Sequence, residues 1–62
     1  MFIEVMLEDR NKIIIRVEDI LRVEEKKTSS YNAKIITIDD RYYHVKTPYE
    51  KVKDLINKAM QL

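Results

Sequence analysis

The chain contains no cysteine, no glycine and no tryptophan, and a single proline and a single histidine. Without cysteine, disulfides and thiolate metal sites are excluded. One histidine cannot build an imidazole cluster for zinc. Without glycine there is no phosphate-cradling loop of the nucleotide-binding kind. The lack of glycine also bears on the turns, because tight primed hairpins favour it at positive φ. Asn11, Asn32 and the Asp39-Asp40 pair must serve instead, which predicts longer or bulged connections.

Charge of one sign is lacking too. Twelve basic residues face eleven acidic ones, for a net charge of +1 in 62 residues. Such a balance gives solubility without a strong field, so net charge points to neither nucleic acid nor an anionic membrane. No apolar run approaches membrane-spanning length, and Met1 is followed by Phe2-Ile3-Glu4 rather than by a leader pattern. The expectation is a cytoplasmic protein that uses no membrane. The length suits one domain, residues 1–62, whose core is small. Disulfides and metals being excluded, oligomerisation is the remaining staple.

What is present is dominated by the last sixteen residues, Thr47 to Leu62. Thr47, Pro48 and Glu50 form a T-x-x-E capping box with proline at the first helical position. At about 100° per residue, Tyr49, Val52, Leu55, Ile56, Ala59, Met60 and Leu62 share one arc. Glu50, Lys51, Lys53, Asp54, Asn57, Lys58 and Gln61 fill the other. The pattern predicts an amphipathic helix over residues 48–61.

Everything before it reads as strand. Alternation predicts strands over residues 2–7, 12–17, 20–25, 33–38 and 42–46. The inward sets are Ile3, Val5 and Leu7; Ile13, Ile15 and Val17; Leu21 and Val23; Ile36 and Ile38; and Tyr43 and Val45. Ile20 falls out of phase and suits the end of a core. Residues 26–32 form the longest loop-like stretch. No sequence repeat or linker is evident. The fold class is therefore α+β: a small, curled, mostly antiparallel five-stranded sheet with one C-terminal helix packed on it.

Three stretches together carry a resemblance. They are Lys12-Ile13-Ile14-Ile15-Arg16-Val17-Glu18-Asp19-Ile20, Val23-Glu24-Glu25, and Ile36-Thr37-Ile38-Asp39-Asp40-Arg41-Tyr42-Tyr43-His44-Val45. Over nearly the whole chain they resemble the short proteins of the flagellar FlbD and swarming-motility family. They also resemble the first half of LytTR-type DNA-binding domains, with their pattern of strand, V-x-D-I, strands, turn, strand and helix. Those families commonly place Asp-Gly or Asn-Gly where this chain has Arg10-Asn11 and Asp40-Arg41. The LytTR segment that follows its helix has no counterpart here, so no DNA-contacting residue is carried over.

Few residues suggest chemistry. His44 is the one conventional general base near neutral pH, but no nucleophile accompanies it, and a sheet position explains it. Asp39-Asp40 has too few oxygen ligands at the right spacing for calcium and reads as a turn. Catalytic, cofactor and metal sites are expected to be absent. Lys26, Lys27, Tyr31, Lys34 and Arg41 combine cations with a stacking ring and form the candidate nucleic-acid contact. Glu24, Glu25, Asp39 and Asp40 lie close in sequence and dilute that field, so a solvated loop is the preferred reading of these residues.

The more informative feature is the sheet's second face. If one face meets the helix, then Phe2, Met6, Ile14, Ile35 and Tyr42 are left on the other, where a one-sided sheet should be polar. That stripe predicts self-association, a dimer in the first instance; the competing reading is a strongly curled sheet that covers part of it within the chain. The expected function is a small non-catalytic interaction module. The alternative is a nucleic-acid-binding regulator resembling a truncated LytTR-type domain.

Overall fold

The computed structural model describes residues 1–61. Its elements run β1 (Phe2–Met6), β2 (Lys12–Arg16), a single 3-10 turn (Val17–Asp19), β3 (Ile20–Glu25), β4 (Ala33–Thr37), β5 (Tyr42–Val45) and α1 (Tyr49–Met60). The fold is α+β, with five antiparallel strands and one C-terminal helix. The strands form two sheets rather than one: a β1–β2 hairpin and a three-stranded sheet in the order β3-β4-β5. A lone antiparallel bridge between Leu7 and Val45 joins them. Around it, the Glu8 N–H donates to the His44 carbonyl (3.1 Å) and the Lys46 N–H to that of Met6 (2.7 Å). The sheet thus turns a corner at β1 and β5 instead of continuing flat.

Alternation explains each strand's two faces. Ile3, Val5, Ile15, Val17, Ala33, Ile35, Val45 and Val52 are buried and form the core. Ile35 corrects the expectation that placed it on the outer face: it is 0% exposed, while Ile38 is 61% exposed. The reason is register. Ile35 lies opposite Tyr43, and Ala33 opposite Val45. Directly opposite residues share a face, so an inward Val45 and Tyr43 require an inward Ile35. Leu21 was also expected inward. A bulge between Ile20 and Arg22 breaks the phase there, and Leu21 is 61% exposed.

Both tight hairpins use one turn. In each, a first residue brackets three loop residues against a fifth. Arg10 N–H donates to the Leu7 carbonyl (2.9 Å), and Leu7 N–H to that of Asn11 (2.7 Å). Asp40 N–H donates to the Thr37 carbonyl (3.2 Å), and Thr37 N–H to that of Arg41 (2.9 Å). The third loop residue is left-handed in both: Arg10 has φ 70° and Asp40 has φ 65°. This is the three-residue hairpin loop with a bulge, normally served by glycine. The left-handed residue of the first turn is therefore Arg10 and not Asn11. Asn11 instead donates its backbone N–H and its side-chain amide to the Asp9 carboxylate.

The helix packs on β1 and β3. Val52 is its one fully buried side chain, with Tyr49, Leu55, Ile56 and Ala59 partly buried around the core. Met60, expected on the same face, is 66% exposed, and Leu62 lies outside the described residues. The capping box does not form. The helix starts one residue later than expected, with Pro48 rather than Thr47 at its N-cap and no side-chain cap, and the Thr47 hydroxyl instead accepts the Met6 N–H at 2.9 Å. Thr47 thus ties the end of β1 to the helix entrance and satisfies a donor where β1 leaves β5.

Candidate assembly surface

The outer face of the β1–β2 hairpin follows from its register. Phe2 lies opposite Arg16, Glu4 opposite Ile14 and Met6 opposite Lys12. Ile14 is therefore diagonal to both Phe2 and Met6, within reach of long side chains. Phe2 is 65% and Ile14 66% exposed, and Met6 is half-buried beside Thr47, Lys51 and Leu55. Glu4, Lys12 and Arg16 frame this apolar diagonal. Arg16 holds Asp19 at 2.7 Å, and that contact raises the guanidinium's pKa further.

Beside this face runs a groove of about 510 Å³, lined by Ile13 to Arg16 of β2, Asp19, Thr37 to Asp39, and Tyr43. The Thr37 hydroxyl donates to the Asp39 carboxylate. Together with Arg41, whose Nε is 3.3 Å away, it holds the Asp39 pKa below its usual value.

Tyr42, the remaining member of the expected stripe, is 58% exposed but belongs to the other sheet. There it sits in an aromatic and cationic cluster. Tyr31 stacks on His44, with centroids 4.0 Å apart and planes 8° from parallel. Tyr42 tilts against His44 at 5.3 Å, and Lys34 Nζ lies 4.6 Å from the centre of the Tyr42 ring. Of the expected nucleic-acid contacts, the structure brings Tyr31 and Lys34 into this cluster. Tyr42 and His44 complete it; His44 was read there as a plain sheet position. The signal available was the pairing of Lys34 with His44 across β4 and β5.

The other cations go elsewhere. Lys26 lies 3.7 Å from Glu24, Lys27 3.7 Å from Glu25, and Arg41 at Asp39. Glu24 also accepts from Arg22 at 2.9 Å, and chiefly for that reason its pKa is lowered. His44 Nδ1 lies 3.8 Å from Glu8. Carboxylates are thus interleaved through the whole patch, which weakens the field a phosphate backbone would meet. Among the described residues there is no group of three or more His, Asp or Glu placed to hold a metal ion, and no helix long and apolar enough to cross a membrane.

Comparison with protein-family models, with curated proteins and with solved structures finds no match to this chain.

Proposed function

We propose that this protein is a small, non-catalytic, cytoplasmic assembly module that pairs with a second copy of itself through the outer face of the β1–β2 hairpin. The observation that carries the reading is the diagonal of Phe2, Ile14 and Met6, with two of its three side chains about two-thirds exposed on an otherwise alternating strand pair. A small chain has little core of its own, and contiguous exposed apolar groups mark contact surfaces. A two-fold arrangement sets the same patch against itself, and Glu4 near Lys12 and Arg16 supplies both signs of charge around the rim. The resemblance to the FlbD-like and swarming-motility family offers a setting for such a module and no catalytic residue.

The test is sedimentation of the wild type and of Ile14→Lys at micromolar concentration. The wild type is expected to sediment as a dimer and the variant as a folded monomer, since Ile14 faces away from the core. A wild type that stays monomeric while fully folded overturns the reading. Tight, sequence-selective binding of duplex or single-stranded DNA at physiological salt would replace it with the nucleic-acid-binding alternative, for which the cluster of Tyr31, Lys34, Tyr42 and His44 would be the place to look.

A further inference from the structure

The geometry points to a second contact surface, distinct from the apolar face. The free edge of β2 is a docking slot for an extended, antiparallel segment of another protein. That segment has an apolar centre and a carboxylate at the end that meets Lys12.

The hydrogen-bond phase of the hairpin supplies the first argument. Leu7 N–H bonds the Asn11 carbonyl and Val17 N–H bonds the Met1 carbonyl, bracketing the ladder at both ends. In an antiparallel pair, directly opposed residues alternate between exchanging both bonds and exchanging none. The bonded pairs between those brackets are then Ile3 with Ile15 and Val5 with Ile13. The N–H and C=O groups of Lys12, Ile14 and Arg16 consequently point away from β1. Among the described residues no strand lies beyond β2 in the sheet order.

The groove of about 510 Å³ opens on this edge. Four consecutive residues of β2, Ile13 to Arg16, line it. Successive side chains of a strand point to opposite faces, so what these four share is the strand's edge. The far wall is the end of β4 and its turn, Thr37 to Asp39. An added strand would lie beside the isoleucines of β2, with Ile38 between Thr37 and Asp39 on its other side, and complete the backbone pairing, as in recognition by strand addition.

The other outer strand shows what a protected edge looks like. β3 carries a bulge at Leu21 and the charged side chains of Arg22, Glu24 and Glu25, and the helix packs against it. Bulges, charges and coverage are the usual means of blunting an edge. β2 has no bulge, and three consecutive isoleucines separate its two charged ends, Lys12 and Arg16.

Charge selects the occupant. A second copy pairing β2 with β2 about Ile14 would set Lys12 of each copy against Arg16 of the other, and like charges directly opposed are destabilising. Lys12 forms no ion pair among the described residues, whereas Arg16 is held by Asp19. The Arg16 end of the slot also presents Asp39. A carboxylate is favoured at the Lys12 end and disfavoured at the other. In an antiparallel partner the Lys12 end meets the C-terminal end of the incoming segment.

The probe is a capped peptide Thr-Val-Thr-Val-Thr-Glu, with a counterpart ending in Lys, added to the full chain and followed by amide hydrogen exchange in NMR. With the Glu peptide, the Lys12, Ile14 and Arg16 amides are expected to slow while those of Ile13 and Ile15 stay unchanged. The Lys peptide is expected to bind about fivefold more weakly, and Lys12→Glu to reverse that preference. Ile14→Pro removes one outward donor and is expected to abolish the protection. Should that variant fail to fold, Lys12→Glu, at an exposed position, carries the test alone. No slowing of the Ile14 amide overturns the inference. So does slowing of the same amides on raising protein concentration without peptide, which would mean that a second copy occupies the edge. Ile14→Lys changes the side chain on the outer face and leaves these backbone groups in place, so loss of the dimer and loss of peptide binding are separable results.

Discussion

Hairpin β1–β2 and hairpin β4–β5 close with the same three-residue turn and pair in the same register, displaced by thirty positions: Ile3 and Ile15 in one correspond to Ala33 and Val45 in the other. Their inner faces agree in kind, with Val5 and Ile35 both buried to 2% or less. Their outer faces do not. The first carries Phe2, Met6 and Ile14; the second carries Lys34, Tyr42 and His44, already engaged with one another and with Tyr31. One backbone solution therefore serves two surfaces. The second surface packs its groups against one another within the chain, and the first leaves Phe2 and Ile14 exposed. The inner positions answer to the common core, and the outer ones are free to diverge.

The comparison breaks most visibly between Ile35 and Ile14. Both are strand isoleucines, but one is fully buried and the other 66% exposed. Ile35→Ala is expected to cost about 2–5 kcal/mol of stability, through lost burial and the cavity left behind. Ile14→Ala is expected to cost about 0.5 kcal/mol or less in the monomer. Urea melts of the two variants at low protein concentration give the contrast. Equal losses would mean that the outer face of the first hairpin is packed within one chain, and the assembly reading would fail with it.

The turns offer a smaller contrast. Arg10 and Asp40 hold the same left-handed conformation, which costs a residue with a β-carbon roughly 1–2 kcal/mol, less for Asp, whose short polar side chain bonds locally. Arg10→Gly is expected to raise stability by about 1 kcal/mol, after allowing for the extra freedom glycine gains in the unfolded chain. Asp40→Gly is expected to gain less. Thermal melts rank the two. A loss at Arg10 would show that its side chain contributes more than the backbone strain removes.

These particulars also show how much was legible beforehand. The five strands, the helix and the class of fold were, because alternation and the helical arc are local patterns in a chain with little else to confuse them. The phase of β4 was not. Its run Ile35-Ile36-Thr37-Ile38 is apolar on both faces, so alternation alone leaves two choices. The partner strand decides, since Tyr43 and Val45 point inward and Ile35 must follow. The bulge at Leu21 and the corner at Leu7 and Val45 are likewise products of pairing between distant segments. Thr47 looked like a helix cap on local grounds, but the Met6 N–H, brought near by tertiary structure, takes its hydroxyl. Of the expected stripe, Phe2, Met6 and Ile14 share the outer face of one hairpin, Ile35 is turned inward by its pairing with β5, and Tyr42 lies on the other sheet.

The smallest expected effect concerns acid, and it separates the turns again. In the second turn the Thr37 hydroxyl donates to Asp39, and Arg41 stands beside it, so the Asp39 carboxyl titrates below its usual 3.8 in the folded protein. A group whose folded pKa is depressed stabilises the fold above its unfolded pKa, and that stabilisation is lost as pH falls through the folded value. Stability is thus expected to fall as the solution is taken from pH ~5 down through the range below the ordinary Asp value. Asp39 is exposed, so solvent screens the interaction and the slope should be shallow. Glu24, lowered chiefly by Arg22, adds a slope of the same sign beginning at its slightly higher ordinary value of 4.5. Asp39→Asn removes the charge while keeping a side chain that can accept from Thr37. It is expected to flatten the lower part of the slope and to leave the Glu24 part intact. Urea midpoints of wild type and Asp39→Asn across the acid range measure this directly. Identical slopes would mean that the Thr37 hydroxyl donates to the Arg41 carbonyl, 3.2 Å away, in preference to the carboxylate, and only the first turn, through Asp9 and Asn11, would then hold a carboxylate in its loop.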